Sequence, residues 1–359
     1  MNTCAPLSLR LEGLGLGRRQ DVGIRPVTAQ AVADRAGVSR ATVSRIMSGQ
    51  ARVAAGTRER VLEAASALGY QVNMLGRGMN RQRSDLVGIV VRGATDPYRA
   101  ALFEALLREI DARGLQSLVS EVDDEAALDR TIARFLQYRV SGVLVTSGAP
   151  PIALAEQCAR LGIPVVALNR AVSIPGVDAV LSDNETGGRL AAEALLAAGC
   201  RHLGFLGVEG GTYSGLARSA AFVAALAPAL AAGRATFRPI VAAGPGHDAG
   251  AAAAAGAWDA PLDGLFCASD VLACGFLDGA RAAGRTAPRD LSIIGFDDVT
   301  PAGLAPYRLT TIRQDAGRIA ARAVALMLER AEEPGRPAVV EAVPVTLVPR
   351  GTVGPARDA

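Results

Sequence analysis

From Leu86 onward the chain alternates short apolar runs with helix-period segments, and this alternation constrains the fold more than any other feature. Strand-length runs are expected at 86–91, 117–121, 142–146, 164–168, 202–207, 238–241, 264–268 and 291–296. Helical segments are expected between them at 98–113, 126–138, 152–161, 186–198, 218–230, 249–258 and 270–283. Apolar strands separated by helices argue for parallel sheets covered on both faces. The series restarts near Asn184, so two doubly wound units with a cleft between them are expected. A helix at 316–329 and a last strand at 343–348 close the chain. Ligands in such folds sit outside the carboxyl ends of the strands.

The segment before Leu86 has a different character. VTAQAVADRAGVSRATVSR, starting at Val27, reads as two short helices around a tight turn. Thr28 can cap the first helix, which runs to about Ala36, and Gly37 suits the left-handed position that ends it. Ser39 can cap the second, from Arg40 to about Met47. Val32, Ala36, Val38, Val43 and Ile46 fall on faces that can pack against a third helix at 57–68, ended by Gly69. Such a pair is a helix-turn-helix. Its second helix would expose Arg40, Ala41, Thr42, Ser44 and Arg45, groups that suit base edges and phosphates in a DNA major groove. An ordinary helical hairpin with a solvated face would share the pattern.

Charge supports the nucleic-acid reading. Residues 26–84 hold nine arginines against three acidic residues, a net of +6, and residues 1–25 add +2. The whole chain is only +3, so the remainder is −5. A basic amino-terminal module on an acidic body suits binding to a polyanion. No run of about 18 uncharged apolar residues suggests a membrane span. No secretory signal is apparent at the start. Five cysteines, an odd number without CxxC spacing, suit reduced thiols in a cytoplasmic protein.

Four pieces, in order, carry a family resemblance: VT..AVADRAGVSRATVSRIMSG, V..GTRERVLEAASALGY..N, LSIIGFDD and LTTIRQD. With them the chain resembles the LacI/GalR family of bacterial transcription regulators from about Pro26 to Gly351. The resemblance implies an all-α helix-turn-helix headpiece (26–70), a hinge (71–84) and a periplasmic-binding-protein-like core (85–351). The core would divide into a first subdomain of about 85–183 and 313–335 and a second of about 184–312 and 340–351. Residues 1–25 are read as an unassigned, disordered extension and 352–359 as a tail. Arg40, Ala41 and Arg45 stand where family members read bases, with Thr28, Ser39, Thr42 and Ser44 completing the DNA-contacting set. In the hinge, Asn73 matches the family pattern and Met79 takes the place of a Leu that wedges into the minor groove. The family also implies a homodimer on a near-palindromic operator.

The rule for parallel sheets selects residues just past the strands: Asp96, Thr146, Asn169, Ser269, Asp270 and Asp297, with Arg218 expected to open a helix. In the resembled family these positions bind a small effector. Asn169, Arg218, Ser269 and Asp297 are the strongest candidates, with Asp96, Tyr98 and Thr146 beside them. Asp183 and Asp270 could equally cap helices. Ser269 stands where Asn is usual, and Arg99 ends DPYR where an aromatic is common. Both departures favour a polar or anionic effector such as a sugar acid over a neutral sugar. No cofactor, metal site or catalytic residue is expected: His202 and His247 lack ligand spacing, and no G-x-G-x-x-G, G-x-S-x-G or Walker sequence occurs. The expected function is a ligand-responsive transcriptional regulator, a repressor, that is not an enzyme. Its rivals are a two-lobed solute-binding transport protein and a Rossmann-type enzyme.

Overall fold

The computed structural model describes residues 27–47, 53–71, 84–93, 95–122, 124–146, 150 and 152–354. The expected extension 1–25, most of the hinge, Asn73 and Met79 lie outside the described residues. The chain divides into two compact units, 1–77 and 78–359.

The first unit holds α1 (Ala29–Ala36), α2 (Arg40–Met47) and α3 (Ala55–Leu68). The Thr28 hydroxyl accepts the Ala31 N–H at 3.2 Å. Gly37 ends α1 at φ 66°, a conformation only glycine adopts without steric cost. The Ser39 hydroxyl accepts the Thr42 N–H at 3.1 Å and starts α2. Val32, Ala33, Ala36, Val43, Ile46, Val61, Ala64 and Ala65 make one buried cluster. α3 begins two residues earlier than expected, after Ala54, which offers no side-chain cap.

The second unit holds two six-stranded sheets. The first contains β1 (Leu86–Val91), β2 (Gln116–Glu121), β3 (Gly142–Val145), β4 (Val165–Leu168), β5 (Val177–Ser182) and β11 (Val340–Val343). Its order is β11-β5-β4-β3-β1-β2, parallel throughout. The second contains β6 (His202–Val208), β7 (Thr236–Ala242), β8 (Gly264–Cys267), β9 (Ser292–Asp297), β10 (Thr310–Arg313) and β12 (Thr346–Val348). Its order is β12-β10-β9-β8-β6-β7, with only β12 antiparallel. The strand order reverses between β1 and β3 in one sheet and between β6 and β8 in the other. Those switch points are where a doubly wound fold leaves a crevice.

Helices α4 (Pro97–Asp111), α5 (Glu125–Gln137) and α6 (Ile152–Arg160) belong to the first lobe. The second has α7 (Asn184–Ala197), α8 (Tyr213–Ala231), α9 (His247–Ala255), α10 (Asp270–Ala282) and the short α11 (Thr300–Gly303). Helix α12 (Ala316–Glu332) returns to the first lobe, burying Ile319, Val324 and Met327 against Leu144, Val166 and Val180. Phe205, Phe222, Phe266 and Phe296 pack as a chain of rings in the second lobe. Helix α8 is long and apolar enough to cross a membrane, with mean hydropathy 1.4. It packs one face into the lobe, burying Arg218, Phe222, Leu226 and Ala229.

Several elements depart from expectation, among them β10 (Thr310–Arg313), a strand absent from the expected set. β5 was not foreseen as a strand, because Asp178 interrupts its apolar run. Asp178 is fully buried there, paired with Arg330 at 2.7 Å and Arg336 at 2.8 Å. The expected single strand at 343–348 is two strands, broken at Pro344, which has no N–H for a ladder. The expected boundary put residues from 340 in the second lobe, whereas Val340–Val343 pairs with β5 in the first sheet. Helix α8 starts at Tyr213 rather than at 218, because the Thr212 hydroxyl accepts the Gly215 N–H at 3.0 Å.

Candidate functional site

The cleft between the lobes encloses about 330 Å³. Asp96, Tyr98, Thr146, Asn169, Arg218, Ser269 and Asp297 all line it. They come from the ends of five strands and from inside α8, so the sheets rather than sequence proximity bring them together.

Arg218 forms the floor. It is 7% exposed, and Gly188 makes its place possible: a Cβ on Gly188 would lie 2.6 Å from the Arg218 carbonyl oxygen. The Arg218 Nε donates to Asn184 Oδ1 at 2.8 Å and Nη1 to the Ala268 carbonyl at 2.6 Å. The guanidinium lies 3.5 Å over the Phe296 ring and 3.8 Å from Asp297 Oδ1. Burial lowers the pKa of Arg218, and the Asp297 charge opposes that shift. Burial holds the Asp297 carboxyl well above the usual range, although Arg218 pulls it down. Tyr98 is raised by burial and by the Asp297 charge, and its hydroxyl donates to Asn169 Oδ1 at 3.4 Å.

Three of the five non-glycine residues with positive φ among the described residues lie at or beside the cleft. Asn169 has φ 57°, Asp297 123° and Asp298 58°, all in the region that L-residues avoid. Such outliers cluster where the surrounding structure holds ligand-facing groups in position.

Other candidates divide their chemistry. Asp96 lines the cleft and also caps α4, accepting the Arg99 N–H at 2.9 Å. Ser269 caps α10 through the Leu272 N–H at 3.4 Å. Thr146 donates its hydroxyl to the Val90 carbonyl at 3.0 Å. Asp183 caps α7 through the Thr186 N–H at 2.9 Å. Asp270 is buried below the cleft, accepting from Thr311 Oγ1 at 2.5 Å and from the Val299 N–H at 2.9 Å. Burial lifts its carboxyl to about 6 against those two donors.

Sequence reasoning missed Gln314, Arg92, Arg170 and the start of α8 as cleft residues. Gln314 sits where the chain crosses from β10 to α12. Its oxygen accepts the Ser182 hydroxyl, and its Nε2 donates to Asp297 Oδ1. One side chain thus ties the end of a first-lobe strand to the end of a second-lobe strand. Ser214 adds a second tie, donating to the Asn169 carbonyl at 3.0 Å. Arg92 and Arg170 directly follow β1 and the Asn169 position, so the strand-end rule could have found both.

In the first unit, Arg40, Ala41, Ser44 and Arg45 are exposed on α2 while Val43 and Ile46 are buried. Thr42 is half-buried and pairs with the Ser39 hydroxyl at 2.9 Å. Thr28 and Ser39 act as caps in the structure.

A helix-turn-helix unit and a two-lobed receptor in one chain define the class of ligand-responsive DNA-binding regulators. Comparison with known proteins agrees. The family of bacterial regulatory proteins called lacI matches residues 28–73, and a periplasmic binding protein-like domain matches residues 192–353. The HTH-type transcriptional regulator CelR of Thermobifida fusca is 30% identical over 316 residues, 85% of this chain and 92% of that protein. The ribose operon repressor of Halalkalibacterium halodurans is 29% identical over 329 residues, 90% and 96%. Among solved structures, a Lac repressor dimer bound to operator and an anti-inducer superposes with TM-score 0.84 at 24% identity, covering 92% of this chain and all of that one. A CelR–cellobiose complex gives TM-score 0.64 at 28% identity, covering 91% and 99%. The chain belongs to the LacI family of bacterial regulatory proteins. It is therefore a transcriptional regulator and not an enzyme.

Proposed function

We propose that the protein is a cytoplasmic homodimeric repressor whose two α2 helices read the halves of a near-palindromic operator. A sugar or related small metabolite in the cleft would control it. The carrying observation is the exposed face of α2, where two guanidinia and short polar groups stand over an apolar underside. Arg45 is assigned to a guanine edge, a contact worth ~1–3 kcal/mol of discrimination. Arg40 and Ser44 are assigned to phosphates or neighbouring bases, and Ala41 to a thymine methyl. Asp96, Tyr98, Thr146, Asn169, Arg218, Ser269 and Asp297 are assigned to the effector. The names of the relatives support a sugar: a ribose operon repressor among the sequences and a cellobiose complex among the structures. Ligand in the cleft would favour one closure of the lobes, a population shift that feeds through the Gln314 crossing.

Genomic fragments retained by the purified protein at two salt concentrations test this reading. The expected result is enrichment of a near-palindromic site, with retention falling steeply as salt rises. Substituting Arg40→Ala and Arg45→Ala together should abolish the enrichment. Absence of selective retention by the unsubstituted protein would overturn the proposal.

A further inference from the structure

The cleft is basic on one wall. Four arginines line it, Arg92, Arg99, Arg170 and Arg218, against two acidic residues, Asp96 and Asp297. Arg218 and Asp297 face each other in the floor. Asp96 commits an oxygen to capping α4. The other three guanidinia all belong to the first lobe. Arg92 follows β1, Arg99 lies in the first turn of α4 and Arg170 follows β4. Among the described residues none of these three forms an ion pair. Arg99 donates to the Arg92 carbonyl at 3.1 Å, and Arg170 lies 6.0 Å from the centre of the Tyr213 ring. Every one of the 38 basic residues in this chain is arginine, so the choice of guanidinium carries no information and the placement does.

Helix polarity acts in the same direction. Asp96, Thr212 and Ser269 cap α4, α8 and α10 respectively, and all three caps line the cleft. Helix amino termini carry partial positive charge and unpaired N–H groups. The volume lies at the small end of the range for ligand pockets, which suits a monosaccharide-sized molecule. A neutral sugar would satisfy the floor and leave the arginine wall without a counter-charge. An oxyanion on the sugar would meet that wall with charge-assisted hydrogen bonds.

We propose that the effector is an anionic sugar derivative, its hydroxyls on Asn169, Arg218 and Asp297 and its carboxylate or phosphate on Arg92, Arg99 and Arg170. This rests on the reading of the cleft as the effector site.

Melting and calorimetric titration of the full-length protein test it with matched probes: ribose and ribose 5-phosphate, and glucose, glucose 6-phosphate, gluconate and glucuronate, with sulfate as an ionic control. The expected result is that at least one anionic probe binds about tenfold or more tightly than its neutral counterpart, while sulfate gives no comparable shift. Whether a carboxylate or a phosphate wins identifies the anion. Arg99→Gln and Arg170→Gln should each weaken the winning anion about tenfold, whereas Arg108→Gln, on an exposed part of α4, should not. The proposal fails if neutral sugars bind as tightly, if sulfate matches the sugar anions, or if no anionic probe binds at about 10 mM. It also fails if both substitutions leave the affinity unchanged. Operator retention without ligand, measured on the same preparation, separates these failures from failure of the regulator reading.

Discussion

The two walls of the cleft use the same residue type in opposite ways. In the second lobe Arg218 is 7% exposed and engaged by Asn184, a backbone carbonyl, Asp297 and the Phe296 ring. In the first lobe Arg92 and Arg170 are exposed, and Arg99 bonds a backbone carbonyl. A buried charge with a complete set of partners fixes geometry, and removing it leaves those partners unsatisfied. An exposed charge can change with little effect on folding. The floor thus serves architecture as well as ligand, and the first-lobe wall is free to set which ligand is chosen.

The largest test of that contrast is Arg218→Ala. It removes the cation facing the buried Asp297, which keeps only its Gln314 donor, and leaves Asn184 Oδ1 and the Ala268 carbonyl without a donor. Denaturant unfolding should show a loss of ~3–5 kcal/mol, the range for breaking a buried pair. A loss below ~0.5 kcal/mol would make the two walls alike.

Asp270 probes the layer beneath the floor. Its carboxyl is lifted to about 6, compared with ~3.9 in an unfolded chain. The folded protein therefore holds an extra proton between those values. The associated stability is fully present below pH ~4 and is lost as pH rises through ~6. Asp270→Asn carries no such titration, so unfolding curves for the two proteins should diverge with rising pH, the unsubstituted chain losing up to ~3 kcal/mol relative to the variant. A constant difference from pH 4 to 7 would show that Asp270 ionises freely.

Smaller effects are expected where contacts are local or exposed. Thr28→Ala removes the cap of α1 and should lower headpiece stability by ~1 kcal/mol, read by headpiece amide exchange. Arg92→Gln should change stability of the unliganded chain by less than ~0.5 kcal/mol. A larger loss there would mean that the first-lobe wall is also structural.

How much the sequence revealed follows the range of the signals. The headpiece was legible because its caps, its turn glycine and its apolar faces all act within four residues. The strands β1, β3, β4, β6 and β8 were legible as apolar runs between helices. β5 was hidden because the partners of Asp178, Arg330 and Arg336, lie some 150 residues away in sequence and only the fold brings them together. All but Asp270 of the residues named from strand ends line one cavity, since a parallel sheet gathers those ends on one side, whereas Asp270 turns into the core to hold Thr311 and Val299. Arg92 and Arg170 obey the same rule but read as ordinary surface arginines until the sheet order is known. The role of Gln314 depends on the chain crossing between lobes, for which no local pattern exists.

The coupling of cleft to DNA is tested most directly by operator affinity with and without saturating ligand. The fragment enriched from genomic DNA and the tightest-binding sugar probe would be used, in the unsubstituted protein and in Arg218→Lys. The expected result is a change of about 5- to 150-fold in the unsubstituted protein and little change in the variant. Equal operator affinity with the cleft empty and saturated would contradict control of the headpiece by the receptor.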